Sequence, residues 1–344
     1  MSAEIADAIA WSYYSYNAPF YKSQMCGLTG KVLCFDQTFY VAKKITATAP
    51  DTHQRFRPVE SLGSCMNEYG QIIWYAFLHQ DENAEEYMED LKEISKRCPD
   101  VQAIYIDNCC TLRNSFGKAF PNVPVCLDPW HWFPRWDHCI AVKTTDPKNY
   151  RFRAMLRRAL LVIDSEDAAA AYKMFAEKGK SNPKYREVSQ YCRNYILPPK
   201  ITMPAIKAVL DELIAEDTEK RVRLAVLKMK EMGLGLTAEE VLEKKGLVPF
   251  FKMDKYYEVM TQQLMHVCRK STMKLPVTGK GGRTYQKVVH DPAHVCDDSC
   301  AAHSCLADPP GVAMNYKYPE YKDHLRGVNK RKPANAPAHL SIPM

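Results

Sequence analysis

The chain has 344 residues, 46% of them apolar and 25% charged, which is enough apolar material for a buried core and excludes a wholly disordered polypeptide. Its 47 lysines and arginines exceed its 40 acids by seven, a mild basic balance that fits a nucleic-acid partner without demanding one. No run approaches the ~18 apolar residues of a bilayer span, and residues 1–20 lack the basic-then-apolar pattern of a signal peptide. The 13 cysteines, an odd number scattered along the chain, point to free thiols in a reducing compartment, some of them on zinc, rather than to a disulfide framework.

In chain order, residues 2–20 predict a short helix ending before Asn17-Ala18-Pro19. Residues 31–45 (KVLCFDQTFYVAKKI) are rich in β-branched and aromatic side chains and predict a strand. Residues 58–66 form a weaker strand signal. Asn67-Glu68-Tyr69-Gly70 is a turn signal, and residues 71–78 (QIIWYAFL) read as a buried strand. Residues 83–97 carry Tyr87, Leu91 and Ile94 at helical spacing behind an acidic first turn. A short strand over 101–106 ends at Asp107. A helix over 111–120 and a strand over 123–127 follow. The order over residues 31–128 is therefore β-β-β-α-β-α-β. A hairpin meander followed by an alternating half is the strand plan of the ribonuclease H-like fold, an α/β architecture with a mixed sheet.

Beyond residue 140 the pattern turns helical. Segments 150–163 and 165–178 alternate apolar and charged faces, and Pro198-Pro199 is a break. A long amphipathic helix over 202–232 has Pro204 near its start, an apolar stripe of Ile206, Val209, Leu210 and Leu213, and Gly233 at its end. Thr237 with Glu240 makes a capping box for a further short helix closed by Gly246. From Lys274 the chain reads as loop. The resulting division is an N-terminal helical segment (1–27), a catalytic core (28–140), a long helical insertion (141–273), a Cys/His-rich loop region (274–325) and a basic tail expected to be disordered (326–344).

Two acids stand out. Asp36 sits within the strand signal CFDQTF, where a charge is costly unless paired or bound to a cation. Asp107 ends the strand VQAIYID, and ligands of α/β sheets collect at carboxyl ends of strands. If the first and fourth strands are neighbours, the two carboxylates face each other, and hard divalent cations relieve their repulsion. The bland alternative is that Asp107 begins a turn or caps a helix.

Residues 106–136 (IDNCCTLRNSFGKAFPNVPVCLDPWHWFPRW) resemble the region after the second Asp of eukaryotic DNA transposases with a DDE core, the Mutator-like, hAT and allied groups. The matching residues are Asp107, Phe120-Pro121 and Asp128-Pro129-Trp130-His131. FDQTFYVAKKI is similar to the first-strand motif of that family, and residues 71–94 to its third strand and first helix. The resemblance covers roughly residues 28–140. It implies a ribonuclease H-like core in which Asp36 and Asp107 hold Mg2+ or Mn2+ for cleavage and transfer of DNA strands, with Asp128 and His131 in support. It also implies a nuclear location, transposon-end and target DNA as partners, and a homodimer among the allowed assemblies.

Farther on, CLADPPGVAMNY and LRGVNK (residues 305–316 and 325–330) resemble a late element of one such subgroup, in which the third catalytic Glu follows Arg-Gly-x-Asn. Here Arg326-Gly327-Val328-Asn329 is followed by KRKPANAPAHLSIPM, which has no acid. The expectation is a chain truncated at its C-terminal end with impaired activity. Asp164, Glu166, Glu239 and Glu240 read as solvated helix charges or caps rather than substitutes. The alternatives are a non-catalytic DNA- or zinc-binding protein derived from the same core, and a nuclease working with two acids and a substitute.

His290, His294, Cys296, Cys300, His303 and Cys305 crowd one short stretch without a C-x-x-C pair. His294, Cys296, Cys300, His303 and Cys305 are the candidate zinc ligands, four of which would make a tetrahedral set. Cys109 and Cys110 read as small buried apolar residues. Arg151, Arg153, Arg157 and Arg158, with Tyr150 and Phe152 among them, are the best DNA-contact candidates. Residues 329–333 could also serve as a weak nuclear-import signal.

Overall fold

The computed structural model describes residues 3–49, 51–79, 83–232, 237, 249–278, 284–310 and 312–313. The short helix expected after Thr237, the Arg326–Asn329 element and the basic tail lie outside them. Five strands form the central sheet: β1 (Val32–Thr38), β2 (Ser61–Asn67), β3 (Ile72–Leu78), β4 (Ala103–Ile106) and β5 (Val125–Leu127), in the spatial order β3-β2-β1-β4-β5. β1, β2 and β3 pair antiparallel; β4 runs parallel to β1 and β5 parallel to β4. The chain is thus mixed α/β, and the five sheet strands follow the chain order expected over residues 31–128, with a short helix (Phe39–Ala42) and a small hairpin (Ala47–Thr48 with Arg55–Phe56) added between the first two. The β2–β3 turn falls on the Asn67–Gly70 signal. Gly70 takes φ +75°, and the Asn67 carboxamide oxygen accepts from the Tyr69 and Gln71 amides.

The parallel strands are apolar at every position (AIYI, VCL) because both faces of the sheet are covered. Leu33, Phe35, Ile104 and Ile106 join Leu91 and Ile94 of α2 (Met88–Arg97) and Leu112 and Phe116 of α3 (Cys109–Ala119) in the main core. The alternate residues Val32, Ala103, Tyr105 and Cys126 form a second cluster closed by Val312, from the far end of the described chain.

The helical half shares the main core, apart from the helix over Ser165–Glu177, whose Ala171 packs in a separate cluster with Val188, Tyr191 and Cys192. It comprises α4 (Pro129–Arg135), α5 (Pro147–Leu160), α6 (Ser165–Glu177), the 34-residue α7 (Pro199–Met232) and α8 (Met253–Val267). A ladder of edge-to-face rings, Trp132–Trp136–Phe152–Phe250, leads from α4 to α5 and then to the chain before α8.

Several elements differ from expectation. The strand expected over 31–45 ends at Thr38, where Phe39–Ala42 turn helical. The first helix, α1 (Ala3–Cys26), runs through Pro19 to Cys26, because a proline inside a helix removes one hydrogen bond without forbidding the next turn. Its second half borders β3 and α2. Residues 161–163 leave the predicted helix to form β6 (Leu161–Ile163), paired with β7 (Asn194–Ile196). The stretch from Lys274 is no loop: β8 (Thr272–Thr278) and β9 (Thr284–His290) form an antiparallel ladder whose side chains are mostly exposed, so no apolar alternation marked it.

One buried carboxyl ties the sheet to the helical half. Asp308 accepts hydrogen bonds from the Tyr105 hydroxyl on β4 and the Ile196 amide on β7. Burial outweighs both bonds and raises its pKa to about 6. The unfolded chain therefore releases this proton first as pH rises, so the stability tied to protonated Asp308 is complete below about pH 4 and is lost through pH 6. Urea denaturation between pH 4 and 7 should show the parent losing stability relative to Asp308→Asn as pH rises; parallel profiles would contradict the assignment.

Candidate functional site

The register Phe35↔Ile106 between β1 and β4, and Ile106↔Leu127 between β4 and β5, sets the next residue of each strand side by side. Those residues are Asp36, Asp107 and Asp128. Asp36 and Asp107 are about half exposed, whereas Asp128 keeps 16% of its side-chain exposure. Asp128 also caps α4, its Oδ1 accepting from the Trp130 amide at 2.8 Å, with Pro129 in the first turn. Burial raises its pKa above the ordinary aspartate value, and the bond from Trp130 works against that rise.

α4 directs two cationic or potentially cationic side chains at these acids. His131 lies between them: Nε2 is 3.6 Å from Asp36 Oδ1, and Nδ1 is 3.8 Å from Asp107 Oδ1 and 3.5 Å from Asp128 Oδ2. Nδ1 is buried and makes no hydrogen bond. Arg135, one turn on and on the same helix face, donates to the Asp107 carboxylate at 3.0 Å and to its backbone carbonyl at 2.8 Å. Arg135 was not among the residues singled out in the sequence; its i+4 spacing from His131 was the available signal. Beside Asp36 and Asp107 opens a pocket lined by Phe35, Gln37, Trp74, Tyr87, Leu112 and Phe116.

The cysteines and histidines gather into two separate groups, each of which could hold a metal ion such as zinc: Cys109, Cys110, His266 and Cys305, and Cys268, His294, Cys296 and Cys300. The five residues proposed from spacing are thus divided. His294, Cys296 and Cys300 stay together, Cys305 belongs to the other group, and His303 is in neither. Cys109 and Cys110, read from the sequence as apolar filling, are members, as are His266 and Cys268 from the end of α8. All 13 cysteines are free thiols. Within the first group, hydrogen bonds from the Cys109 and Cys110 thiols pull Cys305 well down and so favour a thiolate. In the second, burial pushes Cys296 up to about 12.

The chain matches no model of a known protein family and none of the curated proteins. Among the described residues no helix is long and apolar enough to cross a membrane.

The four arginines of α5 divide in two. Arg151 pairs with Glu212 and Glu216 of α7, and Arg153 with Asp137 and Asn149. Arg157 lies over the Trp130 ring at 4.9 Å, next to His131, and Arg158 over Tyr185 at 5.9 Å. Asp164 is spent as the cap of α6 and pairs with Arg193; Glu239 and Glu240 lie outside the described residues.

The double duty of Asp128 is open to measurement. Asp128→Asn keeps an N-cap acceptor and should leave stability nearly unchanged, whereas Asp128→Ala should cost about 1 kcal/mol in chemical denaturation. Equal losses in both would show that the carboxylate charge, not the cap, matters to the fold.

Proposed function

We propose that the chain carries a ribonuclease H-like core of the DDE transposase type, whose ancestral activity is divalent-metal-dependent cleavage and transfer of DNA strands in the nucleus. The observation that carries this reading is the side-by-side placement of Asp36 and Asp107 at the adjoining positions of two parallel strands, in a sheet ordered β3-β2-β1-β4-β5. Two half-exposed carboxylates are hard oxygen donors suited to Mg2+ or Mn2+, and Asp128 adds a third carboxylate around the same histidine. A divalent cation held by Asp36 and Asp107 supplies, when bound, the Lewis acidity that activates a water or a 3′ hydroxyl toward a phosphodiester. Asp128, mostly shielded and anchored by its cap, holds α4 against the end of the sheet. His131 lies within 4 Å of all three acids and can hold or pass a proton there. Arg157 lies over the exposed Trp130, two residues past Asp128, and the pair offers a cation and a stacking face to a DNA strand.

A second reading, a non-catalytic DNA-binding descendant of the same core, draws on Arg135. Its guanidinium bonded to Asp107 supplies the positive charge a cation would otherwise bring.

Calorimetric titration with Mn2+ separates the two. The first reading expects binding by the parent chain that is lost in Asp36→Asn and in Asp107→Asn, with metal-dependent nicking of DNA lost in step. No Mn2+ binding by a chain that is folded by circular dichroism would leave the second reading standing. For DNA contact, Arg157→Ala should weaken duplex binding and lower the slope of log affinity against log salt by about 0.9. Arg151→Ala, whose partners are Glu212 and Glu216, should leave that slope unchanged; equal effects would remove the special place given to Arg157.

A further inference from the structure

The two Cys/His groups share no ligand with the acid site, although Arg135 touches both, its Nη2 bonded to Asp107 and its Nη1 3.1 Å from His266 Nε2, and they have a geometry of their own. A tetrahedral zinc with Zn–S near 2.3 Å and Zn–N near 2.0 Å sets ligand atoms about 3.8 Å apart for two sulfurs and about 3.6 Å apart for a sulfur and a nitrogen. In the first group Cys110 Sγ lies 3.9 Å from Cys109 Sγ, 4.0 Å from Cys305 Sγ and 3.7 Å from His266 Nδ1. In the second, His294 Nε2 lies 3.7 Å from Cys268 Sγ and 3.6 Å from Cys300 Sγ. The four ligand atoms of each group lie within 4.8 Å of one another. The sulfurs are far outside the roughly 2.05 Å of a disulfide. Thiols form only weak hydrogen bonds, so mutual bonding gives little reason to gather three of them round an imidazole twice over.

We propose that the chain binds two zinc ions in closed Cys3His sites, one held by Cys109, Cys110, His266 and Cys305 and the other by Cys268, His294, Cys296 and Cys300, and that these ions fasten the helical half and the segment after β9 to the sheet. Four protein ligands leave no open position, which marks each site as structural rather than catalytic. Three thiolates, a neutral imidazole and a zinc ion sum to one negative charge. Arg269 offsets that charge at the first site, its Nη2 donating to Cys110 Sγ at 3.5 Å.

The positions of the ligands explain what the ions would hold. Cys109 and Cys110 open α3, two and three residues past Asp107. His266 and Cys268 flank Val267 at the end of α8, one serving each site. The other four ligands lie on residues 294–305, whose regular structure is one 3-10 turn (Asp298–His303). That segment meets the body through backbone bonds from the Cys305 amide to the His266 carbonyl and from the Leu127 amide to the Cys305 carbonyl. Cys305 therefore joins the edge strand β5, the end of α8 and the start of α3 at one point. Short segments with so little regular structure gain most from a metal cross-link, because binding free energy becomes folding free energy.

The test is metal content. Full-length chain, expressed with zinc supplied and purified under reducing, chelator-free conditions, should carry two zinc ions per chain by elemental analysis. Cys110→Ser/Cys305→Ser and Cys296→Ser/Cys300→Ser should each carry one. Should either variant fail to fold, cobalt titration of the parent serves instead: two equivalents should give the intense d–d and thiolate charge-transfer bands of tetrahedral Co2+, and zinc should displace both. One zinc or none in the parent, or octahedral cobalt spectra, would overturn the proposal. Zinc counting is blind to Mn2+ binding at the acids, so this inference can fail or stand whatever the outcome at Asp36 and Asp107.

Discussion

Parallel pairing of β1 with β4 is the interaction on which the rest depends. These strands are separated by more than sixty residues and are joined in register, Val32 to Ala103 through Phe35 to Ile106. A crossover of that length lets β2, β3 and α2 fold as a local meander and return the chain to the other side of β1. A shift of one residue would turn Leu33 and Phe35 out of the main core, so burial of those side chains fixes the register. The placement of Asp36 beside Asp107 follows from the same packing.

The arrangement at the strand ends balances charges over a short distance. Three carboxylates cannot be brought together at the edge of a core without positive charge or solvent. Half-exposure serves Asp36 and Asp107, and the α4 amide serves Asp128. His131 and Arg135, a turn apart on α4, bring the balancing side chains to the same place. The short helix after β5 is thus as much part of the site as the strands are. Its orientation is held by Trp132, whose indole donates to the Gln263 carbonyl on α8.

The helical half is bound to the sheet by packing and by polar ties rather than standing as a separate body. The aromatic ladder from Trp132 to Phe250 carries the main core into it, and Asp308 bridges β4 to β7. The two Cys/His groups lie along the same seam. A segment with little regular structure can be held there only if several distant elements converge on it, and α3, α8 and β5 do so at Cys305.

The sequence by itself determined the local elements of the sheet and the identity of its end residues. Apolar runs such as AIYI and VCL between turn signals read as doubly covered strands, and the Asn67–Gly70 turn and the break at Pro198-Pro199 act within a few residues. Asp36 and Asp107 were legible as candidates for that reason, whereas Asp128 and His131 were singled out only through the resemblance to DDE transposases. Elements with weak local signatures were not: β8 and β9 are exposed and lack alternation, and α1 runs through a proline. Tertiary structure alone decided what meets what. Spacing along the chain placed His294, Cys296, Cys300, His303 and Cys305 in one set, but Cys300, within one 3-10 turn, and Cys305, just past it, fall in different groups. Cys300 meets Cys268, and Cys305 meets Cys109, Cys110 and His266. The distant partners Cys109 and His266 are brought in by packing of α3 on the sheet and of α8 against α4, the turn after it and β9, and no local pattern records such a meeting. The same holds for Arg151 and Arg153, which carboxylates on α7 and Asp137 neutralise across the fold.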